Sequence, residues 1–323
     1  MKWFLLVLLI FVAGCDFNTD ADSVFLTAEI SPIGDRSGLI LMDRSEERMP
    51  LSIVITNPMS EDASDVRLVA SNVNNRIIDM SVVGDESIPR LQGTRALMGS
   101  PGVALRELDI GIALGLREYS TRIDYHLCAQ TSTVYDGVLC ISPVGYRDHT
   151  GEGCQPRDVQ VSERQGAPVS VVAMRQTDSL NSVSIMFDLV NYGNGIVFEY
   201  DGERCSYIGQ EHAGRITLTS LRIGQDDVPC MSDDPHPTRR MGFDRQYQRY
   251  TGVTFQCVID KNLIVSGSQV PVARPVSATF TYGYHVNAGQ QIVSVRATPG
   301  QAYPDEIKTI SSAGTPYEVL VQV

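Results

Sequence analysis

The sequence predicts an all-β protein made of two tandem sandwich modules, and three observations carry that expectation. Short β-branched or aliphatic runs recur at a spacing of about 8 to 12 residues, turn formers separate them, and no stretch after the leader keeps a helical period beyond about two turns. With 323 residues, 43% hydrophobic and 20% charged, the chain has length for about two domains with real cores. The same composition excludes wholesale disorder and a multi-span membrane architecture.

The chain opens on a leader. Met1 and Lys2 precede an apolar run from Trp3 to Ala13, which is too short for a spanning helix of about 20 residues but suits a secretory signal. It closes Val12-Ala13-Gly14-Cys15, which resembles the lipobox of lipoprotein signal peptides. By that resemblance residues 1–14 are removed and Cys15 is acylated, so the chain is exported and anchored to the outer face of the cell membrane. Buried acyl methylenes contribute about 0.8 kcal/mol each, enough for several chains to hold a protein without a spanning helix. Residues 15–23 then form a polar, acidic, lipidated tether.

The first module is expected over residues 24–150. Its strands read as Val24 to Ile30, Gly38 to Met42, Leu51 to Asn57, Val66 to Ala70, Arg76 to Val83, Leu108 to Leu116, Ser120 to Ala129 and Val134 to Ile141. Pro58, Gly84-Asp85, Gly99 to Gly102 and Asp136-Gly137 supply the breaks, because these residues favour turn geometry. The polar, Gly-containing stretch His149 to Gln165 marks the boundary.

A second module is expected over 165–323. Its strands read as Ala167 to Met174, Val183 to Asn191, Ile196 to Tyr200, Arg215 to Ile223, Thr251 to Ile259, Val276 to Val286 and Gln291 to Ala297. The terminal run Tyr317 to Val323 alternates apolar and polar residues and is expected to complete this module's own sheet; pairing with another molecule is the alternative. The halves also echo each other. Ser52 to Asn57 and Met186 to Asn191 each end a strand in Asn and pass through a turn into another strand, which suggests two copies of one module.

The strand ending in Asn followed by a Gly-containing turn, here Asn191, Gly193, Asn194 and Gly195, resembles the Asn-x-Gly signature of immunoglobulin-like surface modules in exported archaeal and bacterial proteins. Tyr125 to Pro143 and Gly166 to Val172 are similar to segments of archaeal-type exported lipoproteins built from tandem modules of this sort. The resemblance covers residues 24–297, departing at Glu61 to Ser64 and Met231 to Tyr250. It implies immunoglobulin-like β-sandwiches at the cell surface and brings no activity.

Charge narrows the partners. The net charge of −12 repels phosphate backbones, and no basic stripe offsets it, which argues against nucleic acid. Besides Cys15 the chain holds Cys128, Cys140, Cys154, Cys205, Cys230 and Cys257, an even set that reads as three disulfides in an exported chain. The simplest pairing puts Cys128 with Cys140 across a hairpin, Cys154 with Cys205 and Cys230 with Cys257, with other connectivities open. No CxxC pair supports a metal site or redox chemistry.

Potential chemistry is sparse. Asp226, Asp227, Ser232, Asp233, Asp234 and His236 crowd one loop, but without the alternating ligands of a calcium loop they read as a solvated acidic stretch. Arg239, Arg240, Arg245, Tyr247, Arg249 and Tyr250 follow directly, and Arg and Tyr are favoured at binding hot spots, so this insertion is the expected interaction loop. The bland reading has these arginines paired with the preceding aspartates. Neither Gly-x-Ser-x-Gly, HExxH nor a Gly-rich phosphate loop occurs. The expectation is therefore a non-enzymatic envelope lipoprotein without cofactor, acting in structure, adhesion or protein interaction, with capture of a small ligand or glycan as the alternative.

Overall fold

A computed structural model of the chain describes residues 25–32, 39–42, 48–71, 73, 78–83, 87–112, 118–144, 153–161, 165–202, 205, 208–230, 234–245, 249–265 and 270–296. The expected leader, Cys15, the tether and the run Tyr317 to Val323 lie outside these residues.

The first half supplies β1 (Thr27–Pro32), β2 (Leu39–Met42), β3 (Arg48–Asn57), β4 (Ala63–Ser71), β5 (Ile78–Val83), β6 (Ile88–Leu91), β7 (Gly102–Ile112) and β8 (Glu118–Ile141). The second supplies β9 (Val159–Gln160), β10 (Val169–Asp178), β11 (Ser182–Asn191), β12 (Ile196–Phe198), β13 (Arg215–Ile223), β14 (Asp226–Asp227), β15 (Thr238–Arg240), β16 (Gly242–Asp244) and β17 (Arg249–Asp260). A short 3-10 turn, Lys261–Leu263, then leads into β18 (Val272–Arg296). The all-β class is thus as the sequence predicts. The reason is plain in β11: Val183, Ile185, Phe187 and Leu189 are buried, while Ser184, Met186 and Asp188 between them are half-buried, the two-residue period of a strand with one face on a core.

The described strands form three sheets. β1-β3-β7-β5 make a four-stranded sheet, β16-β17-β11-β10-β9 a five-stranded one, and the third follows the order β14-β13-β18-β8-β4-β6 with β2, β12 and β15 beside it. The largest sheet is a layer shared by two sandwiches. At one end Leu51, Ile53 and Ile55 of β3 join Ile123, Tyr125 and Leu127 of β8 in the core. At the other, Phe187 of β11 and Phe255 of β17 meet Phe280 of β18 at ring-centroid distances of 5.6 and 5.1 Å. Each buried Phe contributes about 1.5–3 kcal/mol relative to exposure.

Two expected breaks are absent. Ser120 to Ala129 and Val134 to Ile141 are one 24-residue strand, β8, and the runs on either side of Asn287 are one 25-residue strand, β18. Gly137 is there for packing: a Cβ would lie 2.4 Å from the Tyr135 hydroxyl, so the glycine makes room for a core tyrosine two residues back. Gly289, at φ 138°, sits in a bulge where Asn287 Oδ1 accepts its N–H at 2.8 Å, a kink that leaves the strand continuous.

β8 and β18 pair antiparallel over their whole lengths. Residues 131–141 of the first half therefore line the sandwich of the second, and residues 284–296 of the second line the sandwich of the first. The expected division at 149–165 does not separate the sheets: the modules exchange their longest strands. Their register relates them by an approximate two-fold rotation. Ser64 and Phe198 lie equally far beyond Asn57 and Asn191; they pair with Gln130 and Gly283, which pair with each other.

The disulfides join Cys128 to Cys205, Cys140 to Cys154 and Cys230 to Cys257. The last is as expected and the first two correct the hairpin pairing. On one continuous strand Cys128 and Cys140 lie about 40 Å apart at about 3.3 Å per residue, far beyond disulfide reach.

Candidate functional site

The site is built from a buried asparagine upward. Asn57 Nδ2 donates to Glu61 O at 3.1 Å and Leu91 O at 2.9 Å, and its Oδ1 accepts Met59 N–H at 3.1 Å. Asn191 repeats the pattern, donating to Gly195 O at 3.3 Å and Tyr250 O at 3.2 Å while accepting Gly193 N–H at 3.0 Å. One amide side chain thus substitutes for the backbone partners that a chain loses when it leaves one sheet for the other.

The turn after Asn57 stands over the large sheet where β4 stops. Ser60, Glu61, Asp62 and Arg95 wall an open groove of about 480 Å3, floored by Gln130 and Ser132 of β8 and Thr279 and Thr281 of β18. Asp62 is fixed by Gly93 N–H at 2.7 Å and by Arg90 at 2.5 Å. Arg95 binds Glu61 at 2.9 Å and reaches Asp136 at 3.9 Å. Exposed pairs of this kind contribute about 0–1 kcal/mol, so they orient the wall more than they stabilise it.

The groove opens onto a bare strand edge. Pairing of β4 with β8 goes no further along β8 than Gln130, and among the described residues no strand pairs with Ser132 to Val138 on the edge opposite β18. Further on, Cys140 N–H donates to Gln176 Oε1 at 3.1 Å, Cys140 O accepts from Gln176 Nε2, and Ser142 N–H donates to Asp178 at 2.9 Å. The backbone of Cys140 therefore faces away from β18, and by the two-residue period Ser132, Val134, Asp136 and Val138 face the same way. Among the described residues no backbone partner pairs with these outward groups, and Val138 itself is 59% exposed.

The expected interaction loop is partly structural. Arg240, on β15, donates to Ala213 O at 3.1 Å, Gln210 O at 2.5 Å and Tyr250 Oη at 3.3 Å, and lies 5.9 Å over the Tyr250 ring. Arg239 donates to Thr238 O at 3.1 Å. Both bond to carbonyl oxygens and not to the preceding aspartates, of which Asp227 pairs with Arg222 at 3.4 Å. Arg245 is exposed, Arg249 and Tyr250 lie on β17, and Tyr247, Ser232 and Asp233 fall outside the described residues.

A second feature was not legible in the sequence. The segment 199–214 interrupts what would be the counterpart of β4, leaving β12 and β13 on either side, and Cys205 within it is bonded to Cys128. Phe198 lies on Gly283, where a Cβ would come within 2.4 Å of its ring. Tyr200 donates to Asp65, which also holds Arg67 at 2.8 Å. Burial opposes ionisation of Asp65, but Arg67 and then Tyr200 outweigh it and hold the carboxyl below its usual range. Beside this, His126 and His285 stack at 4.9 Å; burial, with His126 adding to it, pushes His285 down to about 4.

No group of three or more His, Cys, Asp or Glu side chains converges on a metal site among the described residues. Asp226, Asp227 and His236 are exposed and Asp234 is half-buried. The groove and the bare edge went unread because hydroxyl residues and unpaired backbone carry no sequence motif. The only signal was the Asn57 turn that forms one wall.

Comparison with known proteins adds little. No family model matches the chain, and no curated protein does. Among solved structures, the C-terminal domain of the Streptococcus agalactiae AgI/II polypeptide BspA is 8% identical with a TM-score of 0.16, covering 84% of this chain and 99% of that one. The C-terminal domain of the Streptococcus pyogenes antigen I/II-family protein AspA gives 8%, 0.16, 84% and 99%. At such scores the likeness carries no argument.

Proposed function

We propose that the chain is a non-enzymatic lipoprotein of the cell envelope, held to the membrane through Cys15, that takes an extended segment of a partner protein onto the free edge of β8. The observation that carries this reading is the run of outward backbone groups at Ser132, Val134, Asp136 and Val138 beside a polar groove. A free edge is a template for another strand; backbone bonds supply affinity and the neighbouring groove supplies selectivity.

Cross-linking on intact envelopes tests it, using carboxylate-directed or photoactivated chemistry because lysine is scarce. Links from Asp136 or Glu61 to one abundant envelope protein are expected. They should vanish in Val134→Pro, which removes an outward N–H while leaving the core face intact. Links that persist in that variant overturn the edge as the contact. Cys15→Ser tests the anchor, with release from the membrane fraction expected.

The reading as a receptor for a small ligand or glycan draws on the same groove. Its lining is rich in hydroxyls and carboxylates, without the tyrosines that sugar stacking would use, so it stands second.

A further inference from the structure

Lysine occurs only at positions 2, 261 and 308 in a chain with 26 Lys and Arg residues. Arginine is otherwise the chain's choice of cation, and its planar fork suits buried ion pairs better than an ammonium does. Lys261 is nonetheless the most deeply buried ion-paired cation among the described residues, with a side chain 1% exposed, and Nζ lies 2.5 Å from Oδ1 of Asp178, itself 10% exposed. That Oδ1 has no directed hydrogen bond. Nζ is thus in contact with the carboxyl group without the directed geometry of a hydrogen bond. The other oxygen, Oδ2, accepts Ser142 N–H at 2.9 Å.

A water-excluded amine is thus held in contact with a carboxyl group whose other oxygen is already fixed by a backbone donor. We propose that Lys261 and Asp178 condense into an amide that staples the end of β10 to the turn after β17. Nζ attacks Cγ, and Ser142 N–H holds Oδ2 as negative charge gathers on it. The C–Oδ1 bond then breaks, and Oδ1 leaves as water. An ammonium and a carboxylate become one amide and one water, so the pair supplies every proton and no other reactant enters. Fixing the partners by folding replaces a slow encounter with an intramolecular reaction, and exclusion of water from the site guards the product against hydrolysis. The link would close a loop bridging three neighbouring chain segments, since β11 runs between β10 and β17. Unlike the disulfides, it would survive reduction.

Mass spectrometry of the mature chain purified from membranes decides this. After reduction and trypsin, the amide predicts residues 176–204 and 250–296 joined as one branched species, lighter by one water than the sum of the two peptides. Cleavage after Lys261 would be blocked, and Arg274 is already protected by Pro275. Lys261→Arg keeps the charge but cannot condense, and should abolish the branched species completely. Recovery of a free peptide 176–204 together with cleavage after Lys261 in the wild-type chain overturns the proposal and leaves an ordinary buried ion pair.

Discussion

At the scale of single residues, the two asparagines that end β3 and β11 are buried polar groups that tie their own turn to a distant strand. Asn191→Ala would remove the amide donor to Gly195 O and Tyr250 O, while Gly193 N–H keeps Pro168 O at 3.2 Å, and leaving buried groups unpaired costs about 1–3 kcal/mol each before relaxation. A net loss of about 2–4 kcal/mol is expected in denaturant unfolding, with a similar loss for Asn57→Ala because the geometry is the same; a loss near zero would mean water replaces the amide. His285 makes a pH prediction. Its folded value of about 4 lies below the ordinary 6.5, so between these values the unfolded chain holds a proton that the folded chain does not. Stability is fully present above pH 6.5 and falls as pH drops toward 4, by up to about 3 kcal/mol. His285→Gln should flatten that part of the profile in urea titrations, while the depressed Asp65 carboxyl acts only at still lower pH. The Asn echo was readable because side chain and turn lie a few residues apart. The histidine stack was not, because the pairing of β8 with β18 that creates it joins residues far apart in sequence.

At the scale of elements, the misreading of β8 as a hairpin is instructive. Asp136-Gly137 between apolar runs is a strong turn signal, yet here the glycine serves a tyrosine on its own strand. Gly137→Ala is expected to destabilise by about 1–3 kcal/mol through overpacking against Tyr135, and Tyr135→Phe, which removes the hydroxyl 2.4 Å from the added Cβ, to recover part of the loss in the double variant. A turn glycine would instead show additive effects of the two changes, which the double-mutant cycle separates. Periodicity did identify the strands of the outer sheets, since β3 and β11 bury every second residue. It could not reveal that two strands were twice the expected length, because the glycine that signals a turn and the glycine that admits a ring are the same letter.

At the scale of the whole molecule, strand exchange makes a prediction that a bead-like pair of modules would not. Cut within the exposed stretch after Arg157, the chain yields fragments 25–157 and 158–296. The first keeps the sheet of β1, β3, β7 and β5 but lacks the half of β18 that pairs with β8 beside it, and the second lacks the matching half of β8. Neither fragment can close its sandwich, so each leaves an unpaired edge and an uncovered apolar face, and the hydrophobic gain no longer offsets the conformational entropy of ordering. Separately, the fragments are expected to show no cooperative unfolding transition. Refolded together under oxidising conditions they should recover one, with Cys128–Cys205 joining them so that they part on a denaturing gel only after reduction. The intact chain should likewise melt in a single step, since one core runs through both sandwiches. Two separate transitions, or a fragment that folds alone, would show that the modules are independent. They would also weaken the case for a rigid edge at β8, because the alignment of that edge depends on β18 holding the strand straight from one sandwich into the other.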